Sequence, residues 1–328
     1  MNEIVSPSPA ALDLARPSLL RRFGVPLLVF AAFALAPIVA AQGAEGYILS
    51  LLTRVMIFAI AAMSLDLILG YGALVSFGHA AFLGIGAYAV GILASHGIED
   101  GLVQLLVALG GSALFALVTG AISMRTKGVY FIMITLAFGQ MLFFLATSLS
   151  AYGGDDGLTL PSRSLLFGTG VLKGDHVFYY VVLGCLLGCY LLCRTVVASR
   201  FGRVLRGAKD NAVRMQAIGF APYRFQLAAY VLAGTICGLA GFLLANQTEY
   251  VSPAYMTWQR SGELIVVVVL GGLASLHGAI IGAAAFLLLA EVLSGYTEHW
   301  KMIFGPLLVL VVLYARGGIL GMMGGRRG

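Results

Sequence analysis

The chain has 328 residues, of which 60% are hydrophobic and only 10% are charged, and its formal net charge is +6. Soluble domains carry about 25% charged residues, so this composition excludes an ordinary soluble enzyme. The apolar residues come in runs of about 20, long enough to cross a bilayer core of about 30 Å. The basic residues gather at the ends of these runs instead of spreading over a surface, which argues against nucleic-acid binding.

Backbone polar groups inside a bilayer must pair within their own segment, so apolar runs without strict alternation predict helices. A short cytoplasmic tail, residues 1–22, precedes the first run. The predicted membrane-spanning segments are 23–41, 47–69, 79–95, 102–124, 129–149, 177–197, 225–244, a long stretch 263–294, and 302–315. The sequence thus predicts an all-α polytopic helical bundle with a transmembrane domain at 23–315 and a cytoplasmic C-terminal tail at 316–328.

The basic residues predict the orientation, because short loops rich in Arg and Lys stay in the cytoplasm. Fifteen of the 20 fall on one face: Arg16, Arg21, Arg22, Arg125, Lys127, Arg194, Arg200, Arg203, Arg206, Lys209, Arg214, Arg224, Arg316, Arg326 and Arg327. The acidic residues, Glu263 among them, are placed on the outer loops. Both termini are therefore predicted to be cytoplasmic. The stretch 263–294 then forms a hairpin bent near His277, which gives nine or ten crossings.

The N-terminal run has a second interpretation. Arg21 and Arg22 precede an apolar segment, and Val39-Ala40-Ala41 resembles the small-residue cleavage site of a signal peptide. The same two arginines are already explained as the cytoplasmic flank of a first membrane span, which is the interpretation that we prefer.

The segment from Met63 to Tyr88 carries a carboxylate at Asp66, an imidazole at His79 and several glycines where two predicted spans meet. Glycines permit close helix contact or a broken helix. A carboxylate inside a membrane is energetically costly, so its presence there indicates a functional role. Asp66 and His79 are therefore candidates for a pathway or gating element. Tight helix packing is the alternative interpretation.

A second segment resembles part of the first at an offset of 199 residues. The matching pairs are Gly72 with Gly271, Leu74 with Leu273, Ser76 with Ser275, and Ala80 with Ala279. Internal repeats are common in transporters, and the predicted topology gives both segments the same orientation. Ser76, Ser275 and the neighbouring His277 join the gating candidates. Glu291 is a further candidate because it is an acid deep in the last arm of this stretch.

The cytoplasmic connection 198–224 is long, basic and patterned. It has apolar and small residues at helical spacing, a cap before a short second helix at Asp210-Asn211, a stop at Gly219 and a start for the next span at Pro222. A short helix at the membrane surface suits docking to a cytoplasmic protein. Attraction of anionic lipid, or a solvated basic loop without a partner, are the other interpretations.

No GxxxxGK[ST] phosphate loop occurs, so ATP-driven transport by this chain requires a partner. No motif of a metalloprotease or serine hydrolase occurs either, and we predict that the chain is not an enzyme. Cys185, Cys189 and Cys193 repeat every four residues and are interpreted as packing residues. Asp155 and Asp156 lack the alternating spacing of a calcium loop. No metal site is predicted.

These motifs resemble the LivM-type permeases of branched-chain amino-acid ABC importers, from about residue 50 to the end. The resembling residues are Ser64-Leu65-Asp66-Leu67, Gly78-His79-Ala80-Ala81-Phe82 with Gly84, Gly86-Ala87-Tyr88, Gly153 to Gly157, Phe201-Gly-Arg203 with Arg206 and Asn211, Gly219, Gly238 to Gly241, and Leu270 to Leu273. The resemblance implies a LivH-type partner permease, two cytoplasmic ATPase subunits that hydrolyse the ATP, and an extracytoplasmic solute-binding protein. It also implies an ATPase-coupling role for Arg203, Arg206, Asp210, Asn211 and Gly219.

We therefore expect a multi-pass permease subunit of the bacterial inner membrane, without a cofactor of its own, that forms the pathway for branched-chain amino acids. Specificity is expected to reside in the delivering protein. A urea or short-amide ABC permease is one alternative. The other is an ion-coupled secondary transporter in which Asp66 and Glu291 carry the coupling ions.

Overall fold

A computed structural model of the chain describes residues 19–40, 45–165, 168–296, 299, 302, 304–306 and 318–323. This part contains eleven α-helices: α1 (Leu19–Ala40), α2 (Glu45–Gly72), α3 (Ala80–Ser95), α4 (Gly101–Ser123), α5 (Val129–Ser148), α6 (Asp175–Ala198), α7 (Arg200–Ala217), α8 (Pro222–Thr248), α9 (Trp258–Gly271), α10 (Leu276–Tyr296) and α11 (Gly318–Met323). Two short antiparallel strands, β1 (Leu158–Thr159) and β2 (Tyr250–Val251), pair in the connections.

The predicted all-α membrane bundle is confirmed. Within the described residues, six helices are long and apolar enough to cross a membrane: α2, α4, α5, α6, α8 and α10. Two shorter apolar helical segments accompany them. One is Pro26–Ile38, which is part of α1, and the other is the whole of α3. The two predicted tails and the predicted last crossing at 302–315 fall largely outside the described residues.

Helices α2 and α8 form the centre of the bundle. In their most apolar stretches 72% and 67% of the residues are buried, against 28% or less in α4, α5 and α6. Close approach of α3 to α8 depends on glycine, because a Cβ at Gly86 would lie 2.0 Å from the Gly238 carbonyl oxygen. A Cβ at Gly241 would lie 1.9 Å from the Leu83 carbonyl oxygen. The glycines of the predicted gating segment thus include packing contacts between helices.

The segment before α9 enters the bundle without an α-helix, because the two strand residues Tyr250–Val251 are followed only by a short 3-10 helix, Pro253–Met256. Val251 lies against Gly91 near the end of α3, and Met256 lies against Gly84 near its beginning. Farther along, the Ser261 hydroxyl accepts a hydrogen bond of 3.0 Å from the Ala80 amide. Residues 250–257 therefore run antiparallel to α3, and α9 begins inside the bundle. Irregular backbone at membrane depth is tolerated where it is covered by protein or lines a cavity.

Two helix breaks lie at corresponding positions of the proposed repeat. Helix α2 ends at Gly72 and α9 ends at Gly271, which are 199 residues apart. The following loops each contain an alanine with left-handed backbone, Ala73 at φ 55° and Ala274 at φ 59°. Both helices end at the same side of the bundle, because the Asp66 carboxylate near the end of α2 contacts the loop after α9. This agrees with the predicted common orientation, and the hairpin bends at 272–275, just before His277.

Candidate functional site

The Asp66 carboxylate holds the break after α9 against α2. Asp66 is fully buried, and its Oδ1 accepts a hydrogen bond of 2.8 Å from the Ala274 amide. Its Oδ2 has no hydrogen-bond partner among the described residues. Gly70 permits this arrangement, because a Cβ there would lie 2.2 Å from Asp66 Oδ1 and 2.4 Å from the Ala274 nitrogen. We call this contact of α2 with the loop 272–275 the junction.

Helix α7 reaches the junction through Lys209. The Lys209 ammonium donates a hydrogen bond of 2.8 Å to the Gly70 carbonyl oxygen in the last turn of α2. A cation suits the negative end of a helix dipole. The connection 198–224 is therefore tied to the last turn of α2, next to the carboxylate that holds the loop after α9, a contact that the sequence did not predict.

A cavity of about 570 Å³ lies beside the junction and brings two groups of predicted residues together. Ser275 and His277 line it from the hairpin, and Arg206 lines it from α7. The Ser275 hydroxyl accepts a hydrogen bond of 3.2 Å from the Gly278 amide and lies 3.4 Å from His277 Nε2. Arg206 donates to the Val197 carbonyl oxygen at 3.2 Å, at the end of α6. Gating candidates and a coupling candidate thus share one cavity.

His79 and Ser76 lie within the packed bundle. Both are fully buried, and His79 Nε2 is 2.9 Å from the Ser64 hydroxyl on α2. The His79 ring also packs edge-on against Phe82. The structure thus separates these two candidates from the cavity that holds Ser275 and His277, and it joins His79 to the interior packing of α2 and α3.

The local structure predicted for 198–224 is confirmed. Helix α7 is kinked at Asn211, whose φ and ψ are −157° and 97°, and the Asn211 Oδ1 accepts a hydrogen bond of 2.9 Å from the Arg214 amide. Gly219 has a φ of 89°, and the Phe220 amide bonds back to the Met215 carbonyl oxygen at 3.0 Å. Pro222 is the first residue of α8. The connection therefore contains a second, separately capped helical turn.

This capped turn exposes apolar side chains outside the membrane-spanning helices. The exposed fractions are 72% for Val213, 62% for Ile218 and 41% for Phe220. Arg203 and Asp210 on the same connection are exposed as well. Apolar and charged side chains displayed together in this way are typical of a protein-binding surface.

A second cavity, of about 410 Å³, opens between α2, α9 and α10, and we call it the charged cavity. Its lining includes Arg54, Arg260, Glu263 and Glu291. The Arg260 guanidinium pairs with the Glu263 carboxylate at 2.7 Å, and Glu291 accepts a hydrogen bond from the Tyr47 hydroxyl. The placement of Glu263 on an outer loop was wrong, because this residue lies within α9, Trp258–Gly271.

Sequence reasoning found Glu291 but missed Arg54, Arg260 and Glu263. Their signal is present in the sequence, since three charged residues interrupt or border apolar runs without belonging to the basic cytoplasmic layer. No group of three His, Cys, Asp or Glu side chains suited to a metal ion occurs among the described residues.

Comparisons with known proteins agree with the membrane fold. Residues 47–313 match the family described as the permease component of branched-chain amino acid transport systems. The high-affinity branched-chain amino acid transport system permease protein LivM of Escherichia coli K12 is 26% identical over 295 residues, covering 82% of this chain and 69% of that protein. The Salmonella typhimurium LT2 LivM protein is 25% identical over the same length and coverage.

A second kind of permease is also similar. The high-affinity branched-chain amino acid transport system permease protein LivH of E. coli K12 is 26% identical over 287 residues, covering 80% of this chain and 91% of that protein. No solved structure matches the chain.

Proposed function

Because the chain belongs to the family of branched-chain amino acid transport permease components, which matches residues 47–313, we propose that it is a permease subunit of an ATP-driven importer of branched-chain amino acids. The observation that carries this proposal is the coincidence of the family match with the helical membrane bundle. The chain is a multi-pass inner-membrane protein of a transporter family, not of an enzyme family.

The partner subunits follow from the relatives. Similarity to both LivM and LivH supports a pair of related permeases in one importer. The translocation pathway then lies between this chain and a LivH-type permease. Two cytoplasmic ATPases supply the energy, and an extracytoplasmic solute-binding protein delivers the substrate. This chain contributes no nucleotide site of its own, in line with the missing phosphate loop.

The ATPases dock at the capped turn of α7. Val213, Ile218 and Phe220 offer apolar contacts there, while Arg203 and Asp210 offer charges. Asn211 and Gly219 fix the shape of this surface, because they begin and end the capped turn. Closure of the ATPases around ATP pushes on α7.

The force that the ATPases exert on α7 reaches the membrane-spanning helices through Lys209. This side chain bonds to the last turn of α2 next to Asp66 and the loop 272–275, so a displaced α7 displaces the junction. Arg206, Ser275 and His277 share the adjacent cavity and change their spacing in the same movement. The transition converts an inward-facing to an outward-facing pathway, with the two arrangements of the junction as its end states.

The test is coupling in proteoliposomes that contain the complete importer and its binding protein. Gly219→Val and Arg206→Glu are expected to leave ATP hydrolysis in place while uptake of labelled leucine falls at least tenfold per ATP hydrolysed. Gly97→Val is the matched control for backbone strain, because Gly97 has a φ of 77° and, like Gly219, no atom within 4 Å of an added Cβ. Arg125→Glu on the α4–α5 connection is the control for charge reversal.

Normal coupling in both variants would refute docking at α7. Uptake that survives ATP depletion but collapses with the ion gradient would favour the ion-coupled alternative, in which Asp66 and Glu291 act as carriers. The closed, hydrogen-bonded position of Asp66 argues against that alternative, because a coupling acid needs access to water.

A further inference from the structure

Charged side chains of the second cavity lie near the middle of a membrane span. Phe58 is the fourteenth of the 28 residues of α2, a helix about 42 Å long. The guanidinium carbons of Arg54 and Arg260 lie 6.0 and 5.9 Å from the centre of its ring. Glu263 is bonded to Arg260 and lies at the same depth. Ionised groups this deep face protein or a water-filled cavity, and they mark substrate pathways.

The helical structure is also interrupted next to these side chains. Helix α9 begins at Trp258, after the irregular segment 250–257, so its first turn faces the cavity at membrane depth. The Thr257 side chain makes no capping bond to that turn. Helices that start inside the membrane present their positive ends to anionic groups of substrates in other transporters.

The charges of the cavity are balanced and partly unpaired. Arg54 makes no hydrogen bond or ion pair with any residue that the structure describes, and its side chain is exposed. Glu291 is contacted by the Tyr47 hydroxyl and by no cation of the described residues. Phe286 and Leu287 add an apolar wall. One cavity therefore offers a cation without an ion pair, a carboxylate without a cationic partner among the described residues, and an apolar surface.

We propose that the charged cavity is a transient binding site for a zwitterionic amino acid with an apolar side chain. Arg54 binds the α-carboxylate and Glu291 binds the α-ammonium. The Arg260–Glu263 pair contacts the same two groups, each through its charge of opposite sign. The aliphatic side chain lies against Phe286 and Leu287. This inference rests on the proposed function and narrows it, because urea and short amides carry no full charges and gain little from such a site.

A weak site is what passage requires. The substrate must find enough attraction to leave water, yet tight binding would prevent its release on the other side. The charges that it meets here are partly exposed, and exposed ion pairs contribute little to affinity. The site therefore accepts a class of substrate, while selection among amino acids stays with the delivering protein.

The first experiment removes the positive charge of Arg54. In proteoliposomes with the complete importer, Arg54→Gln is expected to lower leucine uptake about tenfold, equivalent to about 1.4 kcal/mol. ATP hydrolysis stimulated by the loaded binding protein is expected to continue, and Arg54→Lys is expected to keep most of the uptake. Arg125→Gln is the matched control, with the same change of side chain outside the cavity.

The second experiment separates substrate contact from a structural ion pair. The double variant Arg260→Glu/Glu263→Arg keeps both charges as a pair but reverses their positions. A purely structural pair would leave uptake normal, whereas contact with an oriented zwitterion predicts low uptake by an assembled importer.

The third experiment needs no loss of function. In the Ala254→Cys variant, a charged thiosulfonate reagent added from outside is expected to label the cavity, and leucine delivered by the binding protein is expected to slow the labelling. Absence of labelling, or normal uptake in both Arg54→Gln and the reversed pair, overturns the site alone. A wild-type importer that takes up no leucine overturns the proposed function with it.

Discussion

Replacing Gly70 with alanine is expected to break the junction between α2 and the loop 272–275. The added Cβ would lie 2.2 Å from Asp66 Oδ1 and 2.4 Å from the Ala274 nitrogen, whereas ordinary contact begins near 3.4 Å. The carboxylate must therefore move by about 1.2 Å and the Ala274 backbone by about 1.0 Å. Both atoms belong to the 2.8 Å hydrogen bond that defines the junction, so the bond cannot survive unchanged.

The change in the free energy of unfolding caused by Gly70→Ala is the sum of opposing contributions. Alanine is a better helix former than glycine by about 1 kcal/mol, which favours the variant. Loss of a hydrogen bond to a charged group costs about 1.5–3 kcal/mol, and overpacking costs about 1–3 kcal/mol. The other carboxylate oxygen, Oδ2, has no partner among the described residues, so it offers no existing bond to compensate.

The assay compares Gly70→Ala with Gly188→Ala. Gly188 lies on α6, and no atom lies within 4 Å of its added Cβ, so this control receives the helix-propensity gain without the clash. In thermal unfolding of the purified importer, Gly70→Ala is expected to melt several degrees below the control, with uptake reduced. Equal melting temperatures and equal uptake for the two variants would refute the role of the junction.

Two further predictions concern helix packing and coupling. Gly241→Ala is expected to destabilise the bundle by about 2 kcal/mol or more relative to Gly188→Ala, because its Cβ would lie 1.9 Å from the Leu83 carbonyl oxygen; an unchanged melting temperature would contradict this. Lys209→Met is expected to keep membrane insertion and ATP hydrolysis but lower uptake per ATP several-fold, since it removes the bond to the Gly70 carbonyl oxygen. Normal coupling in that variant would show that force reaches the junction by another contact.

The elements of the fold that sequence predicts best depend on local chemistry. An amide side chain that caps a helix and a glycine with left-handed backbone act within four residues of themselves. Asn211, Gly219 and Pro222 therefore suffice to predict the shape of the α7 connection from the sequence. The apolar runs likewise suffice to predict the long helices, because a membrane-spanning helix has a minimum length.

The contacts that build the candidate sites are of a different kind. Asp66 meets Ala274 across 208 residues, and Lys209 meets Gly70 across 139 residues. Each bond uses a backbone group, which every residue carries, so no residue type at the receiving position signals the contact. The cost of burying a carboxylate suggested that Asp66 has a role, but not that the role is to hold a loop.

The charged cavity was missed for a more specific reason. Charged residues beside an apolar run were interpreted as marking the edge of the membrane. This rule holds only when the helix begins at that edge. Helix α9 begins inside the bundle, so Arg260 and Glu263 stand at the start of a helix and also near the middle of the membrane. Arg54 lies within a continuous span and belongs to none of the predicted cytoplasmic clusters.

Helix α9 connects the two candidate sites. Arg260 and Glu263 lie in its first turns, beside the charged cavity, and Gly271 ends it next to the loop that Asp66 holds. Its 14 residues span about 21 Å without a described kink, so a displacement at one end is carried to the other. The two ends have different proposed roles, substrate contact and coupling, so cavity and junction variants should fail differently. Changes at Arg54 reduce transport while ATP hydrolysis remains responsive to the loaded binding protein, whereas changes at Lys209 separate hydrolysis from transport.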